Sequence, residues 1–457
     1  GWPTRMQHVS RIRPINLPDM ASGVGAGRPG VGVKDGVTQF IQRRTQGIPW
    51  DYDHPLEQRA LERTLGIILF QDQVNHVARD VAGFTPLEAD QLRRAFGRKH
   101  NQSLIAFYWE KFRQGASERG VPGDVAEKIF KKFNGQYMFP ESHAFAFGAT
   151  AYHMAWPKYY HPLEFFVAIF NQQPMGFYNT ETLKEDAKRH GITVINPDIN
   201  LSMEKCTIVS GGRPTFHPPF VREEFERYTD GERGNPPNPP FVKGGWGDSR
   251  PVKPSPPTPS PSARGEAEAR GEGSAALLLG FLYVKGVGAA AASSLVQTRD
   301  SDGPFSNLGD AMERTGLQRE ALENLVAAGA FDSLTLDRRN ALWEVGLRYR
   351  PHGYQQALPL PVEQDMAELP KQTEWEIMMD EYRTMRLHPK GHLMTMLRPY
   401  LGQDVLSSQD LLGRADGEVV TVAGMVIRRQ RPLSKAVFLT LEDEFGHIPI
   451  VVWPQAF

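Results

Sequence analysis

Apolar side chains recur at helical spacing over a long stretch near the start of the chain. From Tyr52 to about His190 they return every three or four positions, which predicts a mainly helical region. One helix start is specific, because Thr85 can cap the helix, Pro86 fits its first turn and Glu88 completes a capping box. We therefore expect an assembly of packed helices in this part of the chain.

Strand-like patterns follow at three places. Residues 191–200 form a short β-branched run that ends in turn residues, and residues 277–284 form a second apolar run. From Glu418 to Trp453 apolar and polar positions alternate around a turn at Phe445-Gly446, which predicts a β-meander. Helices are predicted between the last two runs, around 308–315, 319–328 and 374–386.

The composition changes sharply between the first two of these runs. Residues 213–262 hold 13 of the chain's 36 prolines, and Pro218-Pro219-Phe220-Val221 is repeated at residues 239–242. A proline-rich, repetitive stretch buries little apolar surface, so it predicts an inserted low-complexity segment. The alternative is a docking site for a partner that recognises polyproline helices.

Charge and cysteine content narrow the functional classes. The net charge is −1, so any nucleic-acid binding must come from local patches. The single cysteine, Cys206, excludes an intramolecular disulfide and a multi-cysteine zinc site. No apolar run approaches the roughly 20 residues that span a bilayer, and no signal peptide is evident. We expect a cytoplasmic location.

One local patch is strongly basic. Residues 93–132 contain ten lysines and arginines against four acidic residues. Such an excess is typical of a phosphate-binding surface, although a solvated helical face is the alternative. The candidate phosphate ligands flank Gly97, where the backbone can approach a ligand closely: Arg93, Arg94, Arg98 and Lys99.

Residues 139–143, Phe-Pro-Glu-Ser-His, place a histidine at a predicted helix start. The first turn of a helix carries free backbone amides and a partial positive charge. His143 could therefore present its ring to a phosphate beside those amides. Local hydrogen bonds within the helix start are the alternative.

Residues 285–288, Lys-Gly-Val-Gly, precede an alanine-rich helical pattern. Two glycines before a helix leave backbone N–H groups accessible to a phosphate, so Lys285, Gly286 and Gly288 are candidate contacts to the DNA backbone. A plain turn is nearly as compatible with these four residues. A second turn at 315–317 favours a tandem hairpin arrangement and hence DNA binding.

Clusters that could carry catalysis are not evident in the sequence. Asp51 and Asp53 lie in a predicted loop, and the acidic residues 442–444 lie at a strand end, so neither group is typical of a buried two-metal site. Motifs of phosphate-binding loops, zinc proteases and serine hydrolases do not occur. We therefore assign no metal site and no catalytic residue within the chain.

Five stretches occur in an order and spacing that resemble a known family. They are Arg28-Pro29-Gly30, Gly66 to Gln73, Leu92 to Lys99, Phe139 to His143 and Asn171 to Tyr178. In combination they resemble the core of bacterial C-family DNA polymerases, the replicative alpha-subunit family, and most of all its error-prone branch. Residues 285–288 are similar to the family's helix-hairpin-helix module, and residues 420–453 to the start of its OB-fold.

The resemblance implies template-directed nucleotidyl transfer by a two-metal mechanism. In the family the aspartates that bind Mg²⁺ belong to the palm, upstream of the matched region, so the chain alone is expected to be inactive. Gln71 and Gln73 are expected to be structural, and Asp72 stands where the family more often has glutamate. The residues implied to contact incoming nucleotide and template are Arg28, Arg93, Arg94, Arg98, Lys99 and His143.

The implied fold class is multidomain and mainly α. It combines helical fingers, a tandem helix-hairpin-helix module, an incomplete OB-fold β-barrel and a low-complexity insert. The expected boundaries are a palm–fingers junction at 1–50, fingers at 51–211, the insert at 212–274, the hairpin module at 275–350, a linker and helix at 351–416, and the OB-fold at 417–457.

The implied partners are primer–template DNA and deoxynucleoside triphosphates, with a role in synthesis past DNA damage. Gln355, Leu358 and Leu360 are spaced like a peptide that binds a sliding clamp, with a simple linker as the alternative. Other polymerase or SOS-response subunits are further candidate partners. Two other interpretations stay open, namely a non-enzymatic DNA-binding protein and a degraded remnant of a polymerase.

Overall fold

The computed structural model describes most of the chain in two compact units. The first unit ends at Trp156 and the second begins at Pro157. Most of the predicted insert, residues 216–274, lies outside the described residues. The described ranges are 12–26, 34–96, 102–133, 139–176, 178–210, 213–215, 275–335, 337–349, 369–431 and 436–456.

The first unit is built from helices, which confirms the prediction for this region. Short 3-10 turns at Pro55–Glu57 and Glu62–Thr64 flank the third helix. The last helix contains Pro157 and continues into the second unit. The helices are α1 Leu17–Ala26, α2 Lys34–Gln46, α3 Gln58–Leu61, α4 Gln71–Ala82, α5 Pro86–Phe96, α6 Gln102–Glu118, α7 Gly123–Lys132 and α8 Glu141–Tyr160.

The main core of the first unit lies around α4. Val74, Val77 and Val81 are spaced by three and four residues along this helix and are fully buried. Phe112 of α6 and Phe133, which follows α7, pack edge to face with ring centroids 5.6 Å apart. The valines whose spacing predicts a helix are therefore also the residues that this helix buries in the core.

The capping box predicted at Thr85 is present. The backbone N–H of Thr85 donates to Glu88 Oε2 at 2.9 Å, and the N–H of Glu88 donates to Thr85 Oγ1 at 3.4 Å. Hydrogen bonds from Lys111 and from Thr85 lower the pKa of Glu88 to about 2. The carboxylate stays charged at the positive end of α5, where negative charge is favourable.

The glycine-rich stretch that begins at Gly23 is helical where the structure describes it. Gly23 and Gly25 lie inside α1, although glycine costs about 1 kcal/mol relative to alanine in a helix interior. A Cβ atom at Gly25 would lie 2.7 Å from Cε1 of Phe70. The close approach of α1 to this ring explains a glycine inside the helix.

The second unit contains helices and two main sheets. None of the described helices is both long and apolar enough to cross a membrane. The helices are α9 Pro162–Asn171, α10 Thr180–Arg189, α11 Ala289–Asp302, α12 Leu308–Thr315, α13 Arg319–Ala327, α14 Arg338–Arg348, α15 Glu374–Met385 and α16 Leu393–Leu397. The strands are β1 Thr193–Ile195, β2 Thr207–Ser210, β3 Arg213–Thr215, β4 Ala276–Leu278, β5 Val405–Leu406, β6 Thr421–Val422, β7 Met425–Gln430, β8 Val437–Glu442 and β9 His447–Val452.

The first sheet of this unit has the strand order β1-β4-β2-β3. Strand β4 pairs in parallel with β1 and antiparallel with β2, so it lies inside the sheet. Leu277 of β4 is fully buried and shares one core with Phe281, Leu325 and Val345. The sheet and the helices from α9 to α14 therefore pack around a common core.

The prediction of a strand over residues 277–284 is wrong for the second half of this range. Strand β4 ends at Leu278, and Phe281–Tyr283 form a 3-10 turn. Gly280 lies against another backbone segment, where a Cβ would approach the carbonyl carbon of Lys205 to 2.3 Å. An apolar run is compatible with a buried turn as well as with a strand, and here the tertiary contact selects the turn.

The β-meander predicted near the end of the sequence is present. Strands β7, β8 and β9 form an antiparallel sheet in that order, with a register shift between Val426 and Arg428. Among the described residues these strands do not close into a barrel. The predicted helices in this half of the chain are also confirmed to within one residue at each end.

The sheet register predicts that the insert can be shortened. Thr215 and Leu277 lie on opposite sides of Ile208, so they are two strand spacings, about 10 Å, apart. A Gly-Ser linker of about eight residues reaches roughly 16 Å. Replacing residues 216–274 with it should leave the melting temperature equal or about 2–4 °C higher, because a shorter loop costs less closure entropy. Differential scanning calorimetry measures this change.

A longer deletion provides the control. Removing residues 213–274 also removes β3 and its pairing with β2, so the melting temperature should fall. If replacing residues 216–274 lowers the melting temperature by more than removing residues 213–274, the first sheet depends on the insert for its stability.

Candidate nucleic-acid interface

The basic stretch between residues 93 and 132 is largely neutralised by carboxylates. The partners include Asp53, Glu57, Glu88 and Asp90, which precede the stretch in sequence. The positive charge available to a ligand is therefore smaller than the count of residues predicts. Its described members that form ion pairs are Arg93, Arg94, Lys111, Arg113, Lys128, Lys131 and Lys132.

Arg93 and Arg94 share one carboxylate but differ in exposure. Arg93 donates to Asp90 Oδ1 from Nε and Nη2, at 3.0 and 2.7 Å, and from Nη1 to Gln71 Oε1 at 2.9 Å. Arg94 contacts Asp90 Oδ2 at 2.8 Å, and its side chain is 66% exposed against 26% for Arg93. The hydrogen bonds from Arg93, and to a smaller extent the charge of Arg94, hold the pKa of Asp90 below its usual value. Arg93 thus ties α5 to α4, whereas Arg94 is accessible to a ligand.

The start of α4 is bonded to the start of α8. The N–H of Gln71 donates to the carbonyl of Phe139 at 3.0 Å, and the N–H of Glu141 donates to Asp72 Oδ2 at 2.8 Å. Arg63 pairs with the Glu141 carboxylate at 2.8 Å. Asp72 therefore has a structural contact, and it fixes the segment that carries the predicted histidine.

Gln73 is structural, as the family resemblance implies. Its buried Oε1 accepts from the N–H groups of Leu69 and Phe70 at 2.9 and 3.0 Å. Its Nε2 donates to the carbonyl of Ala60 at 3.0 Å and to Thr64 Oγ1 at 2.7 Å. All four contacts satisfy buried polar groups, which are costly when left unpaired.

His143 is exposed in the first turn of α8. Its ring centroid lies 5.3 Å from that of Phe139 and 4.4 Å from that of Phe147. The carboxylates of Asp72 and Glu141 already lie at this helix start, so a phosphate there would meet negative charge. The exposed ring pair of His143 and Phe147 is better suited to stacking on a base.

The hairpin at residues 285–288 presents open backbone. The N–H of Lys285 donates to the carbonyl of Thr384 at 2.9 Å, and Asn324 Nδ2 donates to the carbonyl of Lys285 at 2.9 Å. Gly286 has a φ of +81°, which glycine adopts without strain. Gly288 caps α11 without a side-chain hydrogen bond, and a Cβ there would meet no atom within 4 Å. The first amides of α11 therefore have no capping side chain, there is open space at Gly288, and the Lys285 side chain three residues earlier is exposed.

A second hairpin joins α12 to α13. Gly316 ends α12 with a φ of +59°, and Gln318 precedes α13 without a capping side-chain hydrogen bond. Asn324 of α13 is the residue that holds the carbonyl of Lys285. The two hairpins are thus in contact, as the tandem arrangement predicts.

Several predicted site residues lie outside the described residues. These are Arg28, Arg98, Lys99 and the three residues of the predicted clamp-binding peptide, Gln355, Leu358 and Leu360. Within the described ranges no group of three or more histidine, cysteine, aspartate or glutamate side chains could hold a metal ion.

Sequence reasoning missed a set of buried charges in the second unit. Helix α10 has the sequence Thr-Glu-Thr-Leu-Lys-Glu-Asp-Ala-Lys-Arg, which is typical of a solvent-exposed helix, yet Glu181, Lys184 and Glu185 are buried. Glu381 of α15 and Glu442 of β8 are buried as well. The sequence gives no signal that these residues are buried, since the groups that cover them, such as Gly391, Tyr382 and Thr182, come from distant parts of the chain.

Comparison with known proteins matches three parts of the chain to family models. Residues 3–120 match the bacterial DNA polymerase III alpha subunit finger domain. Residues 259–341 match the helix-hairpin-helix motif, and residues 420–457 match the OB-fold nucleic acid binding domain. The predicted mainly α, multidomain fold class is thereby confirmed.

Curated relatives match the chain from end to end. The chain is 34% identical to the error-prone DNA polymerase of Methylococcus capsulatus, over 98% of this chain and 39% of that protein. It is equally similar to the error-prone DNA polymerases of Sinorhizobium medicae, over 99% and 38%, and Anaeromyxobacter dehalogenans, over 99% and 36%.

The chain belongs to the bacterial DNA polymerase III alpha subunit family. Its relatives in this family are the error-prone members, as the sequence predicts. It spans about two fifths of the length of the curated relatives that it matches. The part of the chain that matches the finger domain includes Arg93 and Arg94, and the part that matches the helix-hairpin-helix motif includes Lys285 to Gly288.

The two neighbouring arginines should respond differently to truncation. Arg93→Ala removes three hydrogen bonds of a half-buried guanidinium and should lower the free energy of unfolding by about 2 kcal/mol. Arg94→Ala removes one exposed ion pair and should cost about 0.5 kcal/mol or less. Urea-induced unfolding followed by circular dichroism measures both values. Equal losses for the two variants would contradict a structural role specific to Arg93.

Proposed function

We propose that this chain is the C-terminal, DNA-binding part of an error-prone DNA polymerase. The complete enzyme would perform template-directed nucleotidyl transfer past damaged bases during DNA repair. The support is the end-to-end similarity to error-prone DNA polymerases, together with a helix-hairpin-helix motif in which the start of α11 has no capping side chain.

The observation that carries the DNA-binding role is the exposed start of α11. Its first amides have no intrahelical acceptor, and Gly288 supplies no capping side chain to occupy them. A phosphate oxygen would accept hydrogen bonds from these amides, and the helix dipole and the Lys285 ammonium would add electrostatic attraction. Such contacts are to the backbone of DNA, so they position the duplex without reading its sequence.

Contacts to the incoming deoxynucleoside triphosphate and the template are assigned to the fingers residues. Among the described residues these are Arg94, by charge, and His143, by stacking with Phe147. Arg93 supports them by holding α5 and α4 together. The remaining members of the proposed set are Arg28, Arg98 and Lys99.

We assign the Mg²⁺ ligands of the reaction to carboxylates outside this chain, as the family resemblance implies. Residues 355–360 are proposed to contact a sliding clamp, and other polymerase or SOS-response subunits are candidate partners. The proposed location is the cytoplasm.

A single charge placed at the hairpin tests the DNA-binding role. Gly288→Asp adds a good helix cap, so folding should be unchanged or improved, but its carboxylate would repel a phosphate at the same amides. We expect the affinity for primer–template DNA, measured by fluorescence anisotropy, to fall about tenfold or more. Lys285→Ala should reduce the slope of log affinity against log salt by about 1.

The matched control adds the same charge at another exposed helix start. Gly123 opens α7 in the first unit, and a Cβ there also meets no atom within 4 Å. Gly123→Asp should leave DNA affinity within about twofold of the parent chain. Equal effects of Gly123→Asp and Gly288→Asp would show that the added charge acts through the net charge of the chain rather than at the hairpin.

Primer extension tests the assignment of the metal ligands. The purified chain, supplied with primer–template DNA, Mg²⁺ and all four deoxynucleoside triphosphates, should bind the DNA but add no nucleotide. The reason is that no metal-binding carboxylate of the family's palm is matched within the sequence. Extended primer on a denaturing gel would place a complete catalytic centre inside this chain.

A further inference from the structure

Helix α10 buries charges that its sequence would place in water. Six of its ten residues are charged, yet Lys184 is fully buried and Glu181 and Glu185 are nearly so. Each buried charge costs several kcal/mol unless a partner compensates it. The partners of this helix therefore show which parts of the second unit must be in place around it.

One set of partners comes from α15 and the loop that follows it. Lys184 Nζ donates to Glu181 Oε1 at 2.8 Å and to the carbonyl of Gly391 at 2.6 Å, and it also contacts Glu185. Glu181 accepts from the Tyr382 hydroxyl at 2.8 Å and from the N–H of His388 at 3.0 Å. These contacts fasten α10 to α15 and the loop after it, and Glu381 of α15 in turn pairs with Arg338 of α14 at 3.0 Å.

The other partner is Glu442, at the end of β8. It is fully buried, and its carboxylate accepts from Thr182 Oγ1 at 3.0 Å and from Arg189 Nη2 at 3.3 Å. His447 Nε2 of β9 lies 2.8 Å from the same carboxylate. Burial acts to raise the pKa of Glu442, but the contacts with His447, Thr182 and Arg189 outweigh it and hold the pKa below its usual value.

Apolar packing does not provide the same connection in the described residues. The large core shared by the first sheet and helices α9 to α14 extends as far as Leu387 and includes no residue of β7, β8 or β9. The turn between β8 and β9 is tied instead to the segment just before the sheet, where Asp443 accepts from Ser408 and Glu444 pairs with Arg398. The OB-type sheet is thus also bonded to the segment that contains Arg398 and Ser408, and the unit that the lock holds includes this segment.

We propose that α10 and Glu442 form a polar lock that holds the β7–β9 sheet in one orientation on the hairpin module. Removing the charge of Glu442 releases the sheet as a unit while both parts stay folded. The lock would present the hairpins and the OB-type sheet to a nucleic acid as one rigid surface. All contacts of the lock are within the chain, so the lock does not depend on the proposed DNA binding.

Distance measurements by pulsed electron paramagnetic resonance test the lock. Spin labels are attached at Gln297→Cys on α11 and Gln455→Cys after β9, both exposed positions. The natural Cys206 is buried and stays unlabelled. We expect one narrow distance distribution in the parent chain and a distribution at least twofold broader in Glu442→Gln, which keeps the size of the side chain but removes its charge.

Two further variants separate release from misfolding. Arg189→Met removes the partly exposed partner and should broaden the distribution as well, with an unchanged circular dichroism spectrum. Glu418→Gln is the matched control, since Glu418 forms an exposed pair with Arg414 in the same part of the chain, and it should change nothing. Narrow distributions in both Glu442→Gln and Arg189→Met would overturn the proposal, and so would equal broadening in Glu418→Gln.

Discussion

A buried charge must meet an opposite charge or a hydrogen-bond partner, and this constraint fixes how the second unit is assembled. Glu381 is fully buried at the centre of α15 and contacts His388 Nδ1 at 2.5 Å, Asn196 Nδ2 at 2.6 Å and Arg338 Nη1 at 3.0 Å. Its partners come from three parts of the chain, namely α14, the residue after β1 and the loop after α15, and Glu442 repeats the pattern between β8 and α10. The helices and strands of this unit are thus joined at two buried carboxylates, Glu381 and Glu442, each of which binds partners from distant parts of the chain.

The same constraint changes the interpretation of the basic stretch in the first unit. A run of lysines and arginines indicates phosphate binding only if the charges are unpaired, and here carboxylates from α5 and from the segment before α3 pair with most of its described members. Arg93 is therefore part of the scaffold, whereas Arg94 stays accessible. The hairpin before α11 differs because its positive end consists of backbone amides without a capping partner.

The family membership and the local geometry answer different questions. Similarity over nearly the whole chain assigns the bacterial DNA polymerase III alpha subunit family, but it does not say what each side chain does. The contacts of Asp72 illustrate the difference: its carboxylate accepts a hydrogen bond from the N–H of Glu141 at the start of α8. Family membership alone would not have indicated this structural contact.

Local patterns were sufficient for the elements that depend on neighbours in sequence. The capping box at Thr85, the helices at 308–315 and 319–327 and the β-meander are all determined by residues within a few positions of one another. The turn at Gly280, the pairing of Arg93 and the burial of Lys184 were decided only by the tertiary structure. The contacts that decide them join residues 22 to more than 200 positions apart, and electrostatic and steric contacts depend on distance in space, which sequence spacing does not give.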